Sequence, residues 1–456
     1  MRPGALCLTL TPASLDEVFA ADLSRVDAVE IRLDYLPDPR QSSAVRWDRL
    51  PVPVIATCRG KERGGKFAGS AEDEIAILAA AAGNGARFVD LDYRIARGVS
   101  GATVIASFHD FSQTPEDLQA VMKRVAAAEA GIAKIATQVN SWADNRRLLD
   151  LLSRDWGKPV IALGMGEIGQ ITRLVGPARG SLLTFAAAAA ERQAAPGQLT
   201  VDEMLDVYKF RRIGAGTKLL GILGMPVGHS QSPVIHNRAF EVAGVDFAYA
   251  KLPAPSVEDF MANARGIGIH GCSVTIPHKV SIMPFLDRLE PAASKAGAVN
   301  TVTARDGRWV GDNTDVHGVR AALESVGFDP ADKTVVILGR GGAAKAAVAA
   351  LEGARSVALV TRDEMSRAGQ RECDLLINAT PVGMWPHVDV SPVEGPIRAD
   401  VVFDMIYNPQ STKLLRSAAS EGRTIVSGRV MFMAQAARQF EIWTGQPAPA
   451  EVFGSK

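Results

Sequence analysis

Two stretches, Thr103-Val-Ile-Ala-Ser-Phe108, which leads into His109-Asp110, and Ile132-Ala-Lys-Ile-Ala-Thr137, decide the fold of the first half of the chain. Each is a short run apolar at both odd and even positions, as a parallel strand buried on both faces requires. Between them lies Pro115 to Ala130, an amphipathic stretch long enough to be a crossover helix. Working outward, the same alternation repeats. Further strands are expected at Ala5 to Leu10, Ala28 to Leu33, Val52 to Thr57, Phe88 to Asp92, Val160 to Leu163 and Leu182 to Phe185. Helical patterns occupy Ser14 to Leu23, Glu72 to Ala82, Ala143 to Ser153 and Thr200 to Ile213. Eight such strands with their crossovers predict a (β/α)8 barrel over residues 1–213. The crossover at Tyr93 to Arg97 is the shortest.

Arg212-Ile-Gly-Ala-Gly-Thr-Lys218 ends the last helical pattern with two glycines, so a second domain is expected from residue 218. Strands and helices mix at its start. From Lys333 onward the pattern is doubly wound α/β: strand Thr334 to Leu338, glycine turn, helix, then strands at Val357 to Thr361, Leu375 to Asn378, Val401 to Met405 and Thr424 to Val426. The whole chain is therefore expected to be α/β. Its parts are the barrel, a substrate-binding domain over 218–318, a Rossmann-like dinucleotide-binding domain over 319–427, and a helical segment over 428–456 returning toward the substrate domain.

Composition narrows the function. The 456 residues carry 50 basic and 50 acidic side chains, 47% are hydrophobic and 22% charged. Such a chain has ample core and no net field to attract nucleic acid or anionic lipid. Cys7, Cys58, Cys272 and Cys373 lie far apart, without zinc-finger or C-x-x-C spacing, so neither a disulfide framework nor a metal site is expected. No leader fits ahead of the strand at Ala5, and no run of about 18 apolar residues follows. The expectation is a cytoplasmic protein acting on small molecules, without nucleic-acid or membrane partners, its oligomeric state left open.

A barrel of this kind builds its site at the C-terminal ends of the strands. Polar residues accumulate there. Glu30-Ile-Arg32-Leu-Asp34 places two carboxylates around a guanidinium on one strand face, and Arg59, Asp92, His109 and Lys134 close later runs. Lys134, embedded in Ile132-Ala-Lys-Ile-Ala136, stands out. A poorly solvated ammonium gives up its proton more readily, and the resulting amine attacks a carbonyl. The iminium so formed accepts electrons when a base takes the neighbouring α-proton, and His109 on the preceding strand is the natural base. Singly, a strand lysine is more often ion-paired and a lone histidine more often structural; together on adjacent strands they suggest elimination.

These residues resemble a family. Glu30-Ile-Arg32, Thr57-Cys-Arg59 to Gly69, Ser107-Phe-His109-Asp110, Lys134-Ile-Ala-Thr137, Met165-Gly-Glu167 and Ala195-Pro-Gly-Gln198 look like type I 3-dehydroquinate dehydratase, over nearly all of residues 5 to 213. The resemblance implies that Lys134 forms the iminium and that His109 is the base and then the acid. It also implies that Arg173 and Arg59 hold the carboxylate and neighbouring groups, with Glu30, Arg32 and Gln198 on the ring hydroxyls. The chain departs from the pattern twice. Asp92 stands where many members have Glu, which would alter how His109 is oriented, and Ala194 stands where the closing loop usually has Ser. Weaker substrate binding or slower lid closure is expected.

In the second half, Thr334 to Leu338 runs into Gly339-Arg-Gly341-Gly342-Ala343-Ala344 and a helix, the G-x-G-x-x-A form of the dinucleotide fingerprint in its strand-turn-helix setting. The next strand ends at Thr361-Arg362, 23 residues after Gly339, where an arginine favours the 2′-phosphate of NADP. Asp363 follows and would instead suit ribose hydroxyls. Lys279 and Asp315, both at turn-like ends of apolar runs, are the candidate proton carriers.

Here too a family is resembled. Gly224-Met-Pro-Val-Gly-His229-Ser230-Gln-Ser232-Pro233, Val274-Thr-Ile-Pro-His-Lys279, Gly297-Ala-Val-Asn300-Thr, Asn313-Thr-Asp315, Asn378-Ala-Thr380, Phe403-Asp-Met-Ile-Tyr407-Asn-Pro and Gly428 to Gly445 look like shikimate dehydrogenase. The resemblance implies that Lys279 and Asp315 carry the proton and that Ser230 and Ser232 bind the carboxylate. Thr275, Asn300, Tyr407 and Gln435 would line the substrate. Gly339, Gly341, Gly342, Ala343, Ala344, Thr361, Arg362, Asn378, Thr380 and Gly428 would hold NADP. His229 and His278 are expected to be structural. Together the resemblances imply consecutive reactions, 3-dehydroquinate to 3-dehydroshikimate and then to shikimate. The alternatives are a dehydrogenase preferring quinate or NAD, and a non-catalytic ligand sensor built on the same folds.

Overall fold

The computed structural model describes residues 3–454. They fall into two compact units: residues up to Leu219 together with Asp246–Ile269, and Leu220–Val245 together with His270 onward.

The first unit is a parallel barrel of β1 (Ala5–Leu10), β2 (Ala28–Arg32), β3 (Val54–Thr57), β4 (Phe88–Asp92), β5 (Thr103–Asp110), β6 (Ile132–Gln138), β7 (Val160–Met165) and β8 (Leu183–Ala187). Hydrogen-bonded neighbours follow the order β7-β6-β5-β4-β3-β2-β1-β8. Between β7 and β8 there is only a bridge at Val160 and Ser181, with the Leu182 N–H on the Val160 carbonyl at 2.8 Å, so the barrel is nearly closed. Its interior holds Ala5, Cys7, Ile55, Ile105, Ile132, Ile161 and Phe185 among others, an apolar fill that leaves the polar residues to the strand ends.

The outer helices α1 (Leu15–Phe19), α2 (Ala71–Gly83), α3 (Leu118–Ala127), α4 (Trp142–Leu151) and α5 (Gln170–Val175) follow their strands. Reciprocal caps start α2 (Ser70 with Asp73) and α4 (Ser141 with Asp144), each satisfying two otherwise orphaned N–H groups. The helix expected over Thr200 to Ile213 is shorter: a π-type stretch, Glu203–Val207, stops before Lys209, whose φ of +52° no continuing helix permits.

The second unit opens with β9 (Lys218–Gly224) and α6 (Ser232–Val242). The next two elements, β10 (Phe247–Pro253) and α7 (Val257–Ile267), belong to the first unit. There the indole of Trp142, 0% exposed, donates to the Pro253 carbonyl at 3.1 Å, while its backbone N–H donates to Asp259 at 2.6 Å. Its ring meets Phe260 edge-on at 4.9 Å. The stretch 246–269 thus packs with the first unit, inside the span 218–318.

The second unit continues with β11 (Ile269–Val274), β12 (Arg288–Leu289), α8 (Pro291–Ala296), β13 (Thr301–Arg305), β14 (Arg308–Asp312) and α9 (Thr314–Glu324). Within it β9, β11, β13, β14 and β12 run side by side. A second, wholly parallel sheet comprises β15 (Thr334–Leu338), β16 (Ser356–Val360), β17 (Cys373–Asn378), β18 (Ala399–Asp404) and β19 (Thr424–Ser427), in the order β16-β15-β17-β18-β19. Helices α10 (Gly342–Ala350), α11 (Arg362–Met365), α12 (Lys413–Ser420), α13 (Gly428–Thr444) and α14 (Ala450–Phe453) complete it. α9, α10 and α13 cover one face of the parallel sheet and α12 the other. That is the doubly wound arrangement, with its crevice at the strand C-termini.

Candidate active sites

In the barrel the polar strand ends meet in one pocket lined by Thr9, Glu30, Arg32, Arg59, His109, Lys134, Arg173, Phe185, Ala194 and Gln198 among others. Lys134 lies opposite Ser107, and Ala136 opposite His109, so Lys134 and His109 share a face of adjacent strands, as alternation requires. Lys134 is 4% exposed. It is not isolated: Nζ donates to Asp90 Oδ2 at 2.8 Å, lies 3.9 Å from Glu30 Oε1 and sits 4.2 Å over the Phe185 ring.

Asp90 was not singled out from sequence, and it is the central carboxylate. It also accepts from Arg59 Nη2 and from Ser107 Oγ, each at 2.7 Å. Burial works to raise its pKa, but the charges of Lys134 and Arg59 outweigh burial and hold the carboxyl well below the usual range. Asp92, expected in the site, is turned away: both its oxygens are taken by Arg94, from the backbone N–H at 3.0 Å, Nε at 2.8 Å and Nη2 at 3.0 Å. The two aspartates share a parity on β4, but Asp92 ends the strand, where the turn swings Arg94 onto it. Asp34 likewise leaves the expected face. The strand stops at Arg32, and Asp34 binds that guanidinium bidentately at 2.9 and 2.7 Å from outside the pocket lining.

Glu30 is fixed by Thr9 (3.0 Å) and Thr57 (2.8 Å), and the Gln198 amide donates to Thr9 at 3.2 Å. The Ala194 N–H donates to Gln198 Oε1 at 3.0 Å, so the Ala194–Gln198 loop is pinned over the pocket. The free space at the strand ends is about 50 Å³, less than a ring-sized substrate fills. Burial, reinforced by the charges of Arg59 and Lys134, holds His109 well below its ordinary pKa, neutral as a base must be. Arg173 is fully enclosed, and burial alone lowers it to about 10. Its Nε and Nη2 have no hydrogen-bond partner. A buried guanidinium without a carboxylate is a site built for an anion.

The second unit holds a cavity of about 610 Å³, lined by Ser232, Thr275, Lys279, Asn300, Asp315, Gly339, Gly341, Gly342, Ala343, Thr380, Tyr407, Gly428 and Gln435 among others. Lys279 Nζ donates to Asp315 Oδ2 at 2.5 Å, and Asn300 Nδ2 steadies the other Asp315 oxygen at 2.8 Å. Asn313 caps α9, accepting from the Asp315 N–H at 3.1 Å. From α13, Gln439 binds Ser273 at 2.8 Å and Thr301 at 3.0 Å, and the Trp443 indole donates to the Val302 carbonyl at 3.1 Å. Sequence reasoning passed over Gln439, whose signal is only its helical spacing of four from Gln435.

The glycine turn fits a dinucleotide. Gly339 has φ +104°, and a Cβ there would meet Thr380 at 3.0 Å; a Cβ on Gly342 would meet Lys279 at 2.9 Å. Four expected cofactor residues lie outside the cavity wall. Ala344 is 0% exposed in the core under α10, where its small side chain permits close helix packing. Asn378 is also 0% exposed. It donates to Asp404 at 3.0 Å and accepts from the Thr380 N–H and hydroxyl at 3.1 and 2.7 Å, and so shapes the turn that presents Thr380. Thr361 caps α11, and Arg362 is exposed beside it. Ser230 is also off the wall. Burial pushes the Tyr407 phenol up, and Ser230 and Gln231 beside it work against the rise. His229 lies against Trp385, ring centres 3.9 Å apart.

Residues 5–215 match the family described as type I 3-dehydroquinase, residues 222–302 the shikimate dehydrogenase substrate binding domain, and residues 428–453 the shikimate 5′-dehydrogenase C-terminal domain. A bifunctional 3-dehydroquinate dehydratase/shikimate dehydrogenase of Arabidopsis thaliana, named as chloroplastic, is 35% identical over 99% of this chain and 84% of its own length. A shikimate dehydrogenase (NADP+) of Microcystis aeruginosa is 38% identical over 53% of this chain and 96% of its own. The solved dehydroquinate dehydratase and shikimate dehydrogenase part of AroM from S. pombe is 24% identical, with a TM-score of 0.41 over 99% of this chain and 98% of that one.

Proposed function

We infer from its membership of the bifunctional 3-dehydroquinate dehydratase/shikimate dehydrogenase family, to which this chain belongs, that the barrel dehydrates 3-dehydroquinate and the second unit reduces the product to shikimate with NADPH. The observation that carries the barrel's half is Arg173, a buried guanidinium with unpartnered donors in the pocket that holds Lys134 and His109. It suits the substrate carboxylate. Lys134 Nζ, held by Asp90, attacks the ring ketone once it has given up its proton; the carbinolamine loses the ketone oxygen as water to leave an iminium, which water hydrolyses after the elimination to free product and lysine. The iminium then accepts electrons as His109 removes the α-proton, and the same imidazolium returns a proton to the departing hydroxyl. Arg59 and Arg32 complete the positive wall, with Glu30 and Gln198 placed for ring hydroxyls.

In the second unit, NADPH supplies the hydride when bound. Gly339, Gly341, Gly342, Ala343 and Thr380 would hold its diphosphate and ribose, and Gly428 the far wall, a reading supported by the strand-turn-helix cradle. Lys279 Nζ is placed to protonate the carbonyl oxygen, with Asp315 taking part in the relay and Asn300 fixing Asp315. Ser232, Thr275, Tyr407 and Gln435 line the remaining wall, and Ser230 acts through Tyr407. Residues 1–213 are assigned to the dehydratase, 218–318 to substrate binding, 319–427 to the cofactor and 428–456 to the closing helical segment, as stretches of sequence rather than as separate bodies. No described helix is long and apolar enough to cross a membrane. All four cysteines are free thiols, which supports a reducing compartment such as the cytosol.

Purified protein given 3-dehydroquinate alone is expected to develop enone absorbance, and then to form shikimate only when NADPH is added. Reduction of added 3-dehydroshikimate without prior enone formation would overturn the dehydratase assignment. A faster reaction with quinate or NADH would overturn the dehydrogenase assignment. Binding of both substrates without turnover would leave a sensor.

A further inference from the structure

We propose that Arg340, the non-glycine residue of the Gly339–Gly342 turn, is a specificity residue that forms with Arg362 a two-guanidinium clamp on the 2′-phosphate of the cofactor; this rests on the NADP reading above. β15 and β16 pair in parallel with Leu338 opposite Val360, and the Gly339 N–H reaches the Val360 carbonyl at 3.0 Å, carrying the register one residue further. Arg340 and Arg362 each stand two residues beyond that pair, and so follow neighbouring strands at the same sheet end. Arg340 lines the cavity together with Gly341, Gly342 and Thr380.

Arg340 and Arg362 are both exposed, and neither forms an ion pair among the described residues. Two like charges side by side repel, and a phosphate dianion between them turns repulsion into two charge-assisted contacts. The group that meets this geometry is a monoester phosphate on the ribose. A ribose bearing only hydroxyls offers the clamp nothing, so the pair discriminates between the two nicotinamide cofactors.

The test is titration calorimetry on the full chain with adenosine 2′,5′-bisphosphate and with 5′-AMP. Arg340→Ala is expected to weaken the bisphosphate about ten- to a hundredfold, the span of one charged hydrogen bond, while 5′-AMP binding is unchanged. Arg340→Lys should recover part of the loss, keeping charge without the fork. Equal weakening of both ligands would place Arg340 on the phosphate they share and overturn the clamp, as would no weakening of either. A wild-type chain that does not favour the bisphosphate would overturn the NADP reading itself.

Discussion

At the scale of single residues the barrel chemistry depends on which groups share a low-dielectric space. His109 is held neutral chiefly by burial and then by Arg59 and Lys134. The proton it would take up in acid is therefore bound more weakly than in the unfolded chain, and the imidazole stays a base as pH falls through 6. Dehydratase kcat/KM is expected to hold its value from pH 7 to below pH 6, with the acid limb lower than an ordinary histidine gives; a limb centred near 6.5 would contradict this. Lys134 and His109 were legible because apolar neighbours make a strand lysine conspicuous. Asp90 was not, since Phe88-Val-Asp-Leu-Asp92 offers two aspartates of equal parity and only the Arg94 turn separates their roles. Arg173 was found by resemblance alone, and its significance, two donors with no acceptor, is a property of three-dimensional enclosure.

At the scale of elements, strands were read well because a parallel strand buried on both faces leaves a continuous apolar run, and the end of β16 at Val360 differs from expectation by a single residue. Helix ends were read less well, because a backbone such as that of Lys209 is set by tertiary packing. The end of β18 carries a linkage of its own. Asp404 is raised from 3.8 to about 6, chiefly by burial, despite donors from Thr412, the Ile406 backbone and Asn378. Its folded pKa exceeds its unfolded one, so above pH 6 the buried charge costs about 3 kcal/mol, and the folded state recovers this as pH falls from 6 toward 4. The apparent Tm of the wild type, relative to Asp404→Asn, should rise over that window; a constant difference would show the carboxyl to be ionised throughout.

At the scale of the molecule the chain passes between its units at Leu219–Leu220, Val245–Asp246 and Ile269–His270. The boundary near Lys218, legible from its glycines, is thus the first of several crossings, and the others carry no compositional mark. Proteolysis confined to Arg212–Lys218 is expected to give two bands on a denaturing gel and one peak in gel filtration, because β10 and α7 stay docked on Trp142. Two peaks would mean that the docking is weak. The buried indole also bears on inheritance. A gene split at residue 215, where the barrel's family resemblance ends, would yield a barrel with a bare tryptophan and a reductase with a bare Phe260. Lineages that encode the two activities separately would then need new polar surface on both products, and a hydrophobic-to-charged exchange at those two positions is the trace such a fission should leave.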